Sequence, residues 1–433
     1  MMTKVYDLVG VGFGPNNIGL AVHATQNEAD INMIFLEKRD ELTWQNGMMV
    51  PGADIQHSPH RDFITPIDPT SYYTFLNYLK SHNRLLEFLN VPATFPLRLE
   101  WSLYVQWVAS HFLGIVNFGQ EVVTIDKVLK EEGSVFRVTT EDGKEYLGRT
   151  VALGSGGNPM IPETLAPHLG QRVYHLTDYQ KKTNQAIKDG CKKFAVIGAS
   201  QSAVEILIDL YKKSDINICA ITRGIGFRQK DLSPFTEHIF FPEFVEWFQR
   251  RDAYSRRLIN SELENAIYGR ADKDALDELY RLWYEDYLQG QSRMELKKYC
   301  EIENVTVNAG ITLFLREKYS NMQYSVKADA VIIATGFERI ECGFDPHRLP
   351  SMLKEIGNHI ERDCDGSLFI APDYSLGVID GAGDRLPLFV NSFSAPSHGI
   401  GDAGTFPLLA HRSAAIISSL VEKLKGHQGV SDE

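Results

Sequence analysis

Cysteine is scarce: five in 433 residues, at 191, 219, 300, 342 and 364, with no two in a Cys-x-x-Cys spacing. An odd, scattered set argues against a disulfide framework and against a zinc site. A reducing cytoplasm is the expected compartment. No apolar run approaches the roughly 20 residues of a membrane-spanning helix. Only "MMTKV" precedes the first apolar strand, too little for the charged and apolar regions of a signal peptide. No run of Lys and Arg offsets a formal net charge of −12. A nucleic acid backbone needs a concentrated basic face, so such a partner is not expected. Tandem repeats and low-complexity tails are missing as well. The remaining composition, 43% apolar and 23% charged, is that of a folded globular chain, and 433 residues exceed one ordinary core. Two or three domains are expected.

What the chain does have is glycine at the ends of apolar strands. "DLVGVGFGPNNIGL", Asp7 to Leu20, reads as strand, glycine-rich turn and a segment with apolar residues at helical spacing. "INMIFLEKRD" follows as a second buried-type strand carrying Glu37 at its C-terminal end. That is a βαβ unit, which implies a parallel sheet. Gly10 is expected to allow the tight bend, and Gly12 to let the main chain approach a pyrophosphate. The positive end of the following helix attracts the same anion. Pro15 takes the third glycine position of Gly-x-Gly-x-x-Gly, with Gly14 before it. Proline suits a first helical turn because its missing N–H would be unpaired there. Glu37 can accept from ribose hydroxyls.

A second, altered copy reads "FAVIGASQSAVEIL", with Gly198-x-Ser200-x-x-Ala203 replacing the three glycines. Serine and alanine are small enough for close main-chain approach. The next strand, "INICAITR", ends in Thr222 and Arg223 in place of an acid. Arginine pairs with a 2′-phosphate that a carboxylate would repel, which favours NADPH over NADH. The bland alternative is an ordinary polar loop on a structural α/β unit. Ala334-Thr335-Gly336 closes a later buried strand. Two dinucleotide turns in one chain indicate FAD on the first and NADPH on the second. Between about 240 and 300, Trp247, Leu258, Leu263, Leu276, Leu279 and Trp283 recur at helical intervals, which reads as a helical insertion.

In order along the chain, "GVGFGPNNIGLA", "WQNGMMVPGADIQ", "DPTSYYTFLNYL", "GSGGNPMIP", "VIGASQSAVE", "SPFTEHIFFPEF", "IIATGF" and "HGIGDAGTFPLLAHRSA" form one pattern. The chain resembles the NADPH- and FAD-dependent N-hydroxylating monooxygenases, which include lysine N6- and ornithine N5-monooxygenases of hydroxamate siderophore synthesis. The resemblance runs nearly end to end. It implies an α/β fold of two Rossmann-like dinucleotide-binding domains with a small helical substrate domain. The implied boundaries are 1–165 and 341–433 for the FAD domain, 166–235 and 291–340 for the NADPH domain, and 236–290 for the helical domain. It also implies that Trp44 and Gln56 line the isoalloxazine and that Ser200, Gln201, Ser202 and Arg223 hold NADPH. The loop from His398 through Gly401 and Asp402 would run beside the flavin. A homo-oligomer, a tetramer by resemblance, is implied too.

Chemistry in this class resides in the cofactor, and the resemblance requires no side-chain nucleophile, so none is assigned. Related hydroxylases bind the substrate carboxylate with a Lys five residues after the flavin-lining Gln; Arg61 stands there here. Arginine keeps the charge with a different geometry. The alternative is a surface Arg paired with Asp62. Where the family has Asn-Glu after Ser-Pro-Phe-x, this chain has Glu237-His238, and Glu237 suits an ammonium or a helix start. Asn265 is the nearest counterpart of the family's Asn-Tyr-Ser signature. Together these favour an amino acid such as ornithine or lysine, with putrescine or cadaverine as the alternative. His398 reads as a general acid near the flavin or as a main-chain hydrogen bonder, and Asp402 as the cap of the helix after it. A flavin monooxygenase acting on sulfur or carbonyl carbon would carry Phe-x-Gly-x-x-x-His before the second turn. Leu169 and Gln171 replace its Phe and Gly, although His175 and the later Tyr179 remain. A disulfide reductase would need a Cys pair after the first turn, and no Cys precedes 191. A non-catalytic flavoprotein remains the third reading.

Overall fold

The computed structural model describes residues 4–27, 30–131, 133–338, 349–363, 366, 368–379, 385–392, 394–402 and 404–428. Its parallel strands are the short apolar runs of the sequence, among them Val5–Val11, Met33–Leu36, Lys193–Ile197, Asn217–Ile221 and Ala330–Ile333. Strands this apolar are covered on both faces, as parallel sheets require. They fall into two sheets, so the fold is α/β with two Rossmann-like units.

The first sheet has eight strands. Six run in the order Ser375–Ile379, Arg385–Val390, Glu145–Leu153, Val5–Val11, Met33–Leu36 and Val116–Asn117, and Val122–Lys130 and Gly133–Thr140 extend it as a hairpin paired to Glu145–Leu153. Both ends of the chain build it, because Arg385–Val390 pairs in parallel with Glu145–Leu153. The helix Leu409–Gln428 lies on Pro15–Gln26. Gly19 permits that approach, since a Cβ there would strike Ser413 and Leu409.

The second sheet is parallel throughout, ordered Met294–Lys297, Asn217–Ile221, Lys193–Ile197, Ala330–Ile333, Val173–His175. An antiparallel sheet of Cys300–Val307, Ile311–Glu317 and Gln323–Ala328 covers one face, packing Leu313 and Leu315 against Ile197 and Val331. Helix Gln201–Tyr211 covers the other, with Leu279 of the helix Lys273–Leu288 in the same core. The stretch expected as a helical insertion thus divides in its packing. Its first helices, Pro242–Gln249 and Ala253–Ala266, flank a small separate cluster of Ile239, Ile267 and Ile400.

One buried ion pair joins the two units. Arg98, opening the helix Arg98–Ser110, donates to both oxygens of Glu205 at 2.7 Å each, and to the carbonyls of Met48 at 2.9 Å and Asp54 at 3.1 Å. Among the described residues, no helix is long and apolar enough to cross a membrane.

Candidate active site

The first turn differs from its sequence reading in one detail. Gly10 still lies in the strand, where a Cβ would collide with the Phe35 ring, so packing against the neighbouring strand requires it. The bend falls at Gly12, whose φ of 81° suits a residue without a side chain. Gly14 takes the N-cap position with open space where its Cβ would be, and Pro15 starts the helix. No side chain caps this helix, so its first amides are available to an anion. Asn17 braces the turn through the carbonyls of Val11 at 3.1 Å and Gly12 at 2.7 Å. Glu37 is buried and accepts from the amides of Phe13 at 2.8 Å and Arg39 at 3.0 Å. A carboxylate has lone pairs left over for ribose hydroxyls.

In the second turn Gly198 has φ of 140°, and a Cβ there would strike the Ala334 carbonyl. Ser200 caps the helix position without using its hydroxyl as a cap, and Ser202 follows in the first turn. Gln201 is directed elsewhere: its Oε1 accepts from the Asp272 amide at 2.8 Å and its Nε2 donates to Glu205 at 3.1 Å. Arg223 is exposed just beyond the strand Asn217–Ile221. Thr335 donates to the Met160 carbonyl, and the Gly336 carbonyl accepts from His175 Nε2 at 2.9 Å.

Between the turns, the loop after residue 44 brings aromatic and polar groups together. Phe406 meets the Trp44 ring edge-on at 5.9 Å and stacks on His57 at 5.4 Å. Burial lowers the His57 pKa to about 4, so its ring is neutral. Gln56 holds a left-handed backbone at φ 61°, and its buried Nε2 has no hydrogen-bond partner among the described residues. A non-glycine residue there is strained, and strain of this kind gathers at binding sites.

Arg61 and Glu237, 176 positions apart, form an ion pair at 2.6 Å with both side chains about three-quarters buried. The Arg61 guanidinium also lies over Phe240 at 5.2 Å. Asp62 is not its partner. It is buried and accepts from the amides of Ile64, Thr65 and Phe75 at 2.9, 2.7 and 2.7 Å. Asn265 falls in the helix Ala253–Ala266, but its side chain lies outside the described residues.

The C-terminal loop corrects another expectation. Asp402 does not cap the long helix. It sits in a short turn, Ile400–Asp402, and pairs with Arg412, both side chains fully buried. Arg412 also donates to Asn391 and Asn16 at 3.0 Å each, which ties this loop to the first turn. Gly401 is required because a Cβ would strike the Ile239 carbonyl. His398 is buried against Tyr374 at 4.0 Å, with Ser397 Oγ at 2.7 Å from its Nδ1. Burial pulls its pKa down to about 3, which leaves no imidazolium to act as a general acid near neutrality.

Residues 4–339 match the family described as L-lysine 6-monooxygenase/L-ornithine 5-monooxygenase. The chain belongs to this family. The L-ornithine N(5)-monooxygenase of Pseudomonas aeruginosa is 32% identical over 97% of this chain and 95% of its own. The putrescine N-hydroxylase of Shewanella oneidensis is 29% identical over 96% of this chain and 81% of its own. Among solved structures, the Kutzneria ornithine N-hydroxylase with reduced FAD, NADP+ and L-ornithine superposes with a TM-score of 0.89. The two share 26% identity, over 98% of this chain and all of that one.

Three features of this monooxygenase escaped the sequence reading. Asn260 accepts from the Ile400 amide at 3.1 Å and donates to the Ala395 carbonyl at 2.9 Å, joining the helical cluster to the C-terminal loop. No local pattern distinguishes it from a solvated helix residue. Arg412 stood within a quoted motif, and a charged residue on an otherwise apolar helix face was the available signal. Asp272 is buried at 3% exposure, and neither carboxylate oxygen has a hydrogen-bond partner among the described residues.

Proposed function

We propose that this N-hydroxylating monooxygenase acts on the side-chain amine of a basic amino acid, L-ornithine or L-lysine, in hydroxamate siderophore synthesis. FAD would lie on the turn of Gly10, Gly12, Gly14 and Pro15, with Glu37 on its ribose. The bare helix start and the open space at Gly14 fit a pyrophosphate. NADPH would lie on the turn of Gly198, Ser200 and Ser202, with Arg223 toward a 2′-phosphate and Thr335 and Gly336 at the closing strand. FAD held on the first turn and reduced by NADPH would activate O2 for transfer of one oxygen atom to the amine. Trp44, Gln56 and the loop of Gly401 and Asp402 would border the ring. Asp402 would act there through the Arg412 pair, and Gln201 through the hold it has on Asp272.

The observation that carries the amino acid reading is the 2.6 Å pair of Arg61 and Glu237. An α-amino acid presents a carboxylate and an ammonium side by side, so it can enter by exchanging partners with both residues. A diamine offers only cations, so one that took Glu237 for itself would leave Arg61 without an anion, at a Coulomb cost. The putrescine N-hydroxylase relative keeps the diamine as the second reading.

The amine must be uncharged to take up oxygen. A primary alkylamine has a pKa near 10.4, so losing its proton at pH 7.5 costs roughly 4 kcal/mol. A dry site supplies part of this by disfavouring the ammonium.

The test is hydroxylamine formation by the purified yellow protein with NADPH, O2 and a panel of ornithine, lysine, putrescine and cadaverine. Arg61→Ala is expected to raise KM for the amino acids at least about tenfold, the scale of one lost ion-pair contact, and to spare the diamines. Equal losses for both classes would reject the assignment of Arg61. Product from thioethers or ketones alone would reject amine hydroxylation.

A further inference from the structure

Asp272 stands at the N-cap of the helix Lys273–Leu288. An Asp in that position ordinarily turns its carboxylate back onto the free amides of the helix. This one makes no such bond, is 97% buried and leaves both oxygens without a partner among the described residues. Its main chain is held firmly. The Asp272 amide donates to Gln201, Gln201 donates to Glu205 at 3.1 Å, and Glu205 is clamped by Arg98. A buried carboxylate kept in place without a donor is costly, and such an exception points to a ligand that supplies the donor.

The charges around it identify that ligand. Lys230 acts on Asp272, as do the carboxylates of Asp274, Glu205 and Glu237, and Asp272 in turn acts on Asp54. Glu205 is satisfied by Arg98 and Glu237 by Arg61. Burial first, and then the neighbouring acids against the pull of Lys230, push the Asp272 pKa up to about 6. Burial and then Asp272 itself push Asp54 up to about 7. Asp54 accepts from the Gln56 amide at 3.2 Å, which puts the acidic group beside the loop assigned to the flavin. The unpartnered Asp272 carboxylate, with Asp54 and Asp274 beside it, suits an alkylammonium.

We propose that Asp272 receives the reacting ammonium of the amine substrate and accepts one of its protons. The inference rests on the amine reading above. In the step R–NH3+ and Asp–COO− become R–NH2 and Asp–COOH; only an N–H bond breaks and an O–H bond forms. No electrons change hands, and the proton passes to water after product leaves. Raised affinity for the proton makes this carboxyl a better acceptor than an ordinary Asp, and its burial favours the neutral pair over the ionic one. Arg61 and Glu237 hold the α end while Asp272 takes the far end.

The variant is Asp272→Asn in the full, FAD-loaded chain, which preserves shape and the amide held by Gln201. Calorimetric titration with L-ornithine and with L-norvaline, the same skeleton without the terminal amine, separates the roles. The variant is expected to bind ornithine at least tenfold more weakly and norvaline unchanged. Hydroxylamine yield at pH 7.5 is expected to fall at least about 100-fold, the usual scale of a lost proton acceptor. Hydrogen peroxide should rise as NADPH oxidation continues. Wild-type kcat/KM should climb with pH through about 6, because the carboxylate must be free of its proton, and Asn should abolish that limb. Since the unpaired carboxylate burdens the fold, the variant should melt no lower than wild type at pH 8.

Undiminished hydroxylation, or equal weakening of ornithine and norvaline, would overturn the inference. So would slowed reduction of the flavin by NADPH, which would make Asp272 a nicotinamide-site residue. If Asn does not fold, Asp272→Ala carries the same comparisons. Wild-type protein that forms no hydroxylamine from any amine defeats the functional reading itself. Wild-type activity beside an equally active Asn variant defeats only this inference.

Discussion

Single side chains in this protein are governed by burial more than by local sequence. His23, His57 and His398 are all held neutral by the absence of water around them. His23 lies behind the aromatic cluster, its Nε2 at 3.1 Å from the Phe63 carbonyl. Its pKa is lowered to about 4 from 6.5, so the folded state takes up its proton later than the unfolded chain. The stability it preserves is therefore full above pH 6.5 and is lost as pH falls from there toward 4. In melting experiments, wild type is expected to lose ground to His23→Gln across that window, and parallel curves would reject the assignment. Roles of this kind were not legible beforehand. The Arg61–Glu237 pair spans 176 positions, and the sequence offered only the neighbouring Asp62, whose carboxylate is occupied by main-chain amides, as an alternative partner of Arg61. Asp272 gave no signal at all, because an N-cap Asp is ordinary and only its burial without a donor sets it apart.

At the scale of elements, what was legible was what is local. Strand, glycine and helix follow each other within some 15 residues, and their chemistry dictates the turn wherever it sits in the fold. Even so, Gly10 and Gly12 divided the work differently from the sequence reading, since a neighbouring strand's Phe35 fixes Gly10. Asp402 was read as a cap because it precedes a helix, but a separate turn intervenes and Arg412 reaches back for it. Gly198 offers a clean test of the second turn. Its φ of 140° and the Ala334 carbonyl beside it exclude any side chain. Gly198→Ala is expected to weaken NADPH binding at least about tenfold, the effect of roughly 1.4 kcal/mol of strain. Bound flavin per chain should be unchanged. Loss of flavin together with NADPH would show that the two turns are not independent.

Across the whole molecule, the two α/β units are fastened by a buried charge. Removing one partner of such a pair costs about 3–5 kcal/mol, whereas replacing both by apolar residues of similar size is often neutral. Arg98→Met is therefore expected to lower stability to urea by that order, and Arg98→Met with Glu205→Leu to recover most of it. Failure of the double variant to recover would mean that the Met48 and Asp54 carbonyls, also held by Arg98, carry the effect. The overall architecture was readable from two βαβ signatures, but nothing local announced that Lys273–Leu288 packs in the core of the second sheet.

The first sheet takes its strands from both extremes of the polypeptide, whereas every strand of the second lies between residues 173 and 333. A ribosome therefore releases every strand of the second sheet while the opening strand, already made, still waits for Arg385–Val390 and the closing helix. The first sheet can close only after that late strand has left the ribosome. A product shortened before Arg385 would keep every strand of the second sheet and leave Glu145–Leu153 without one of its parallel neighbours in the first.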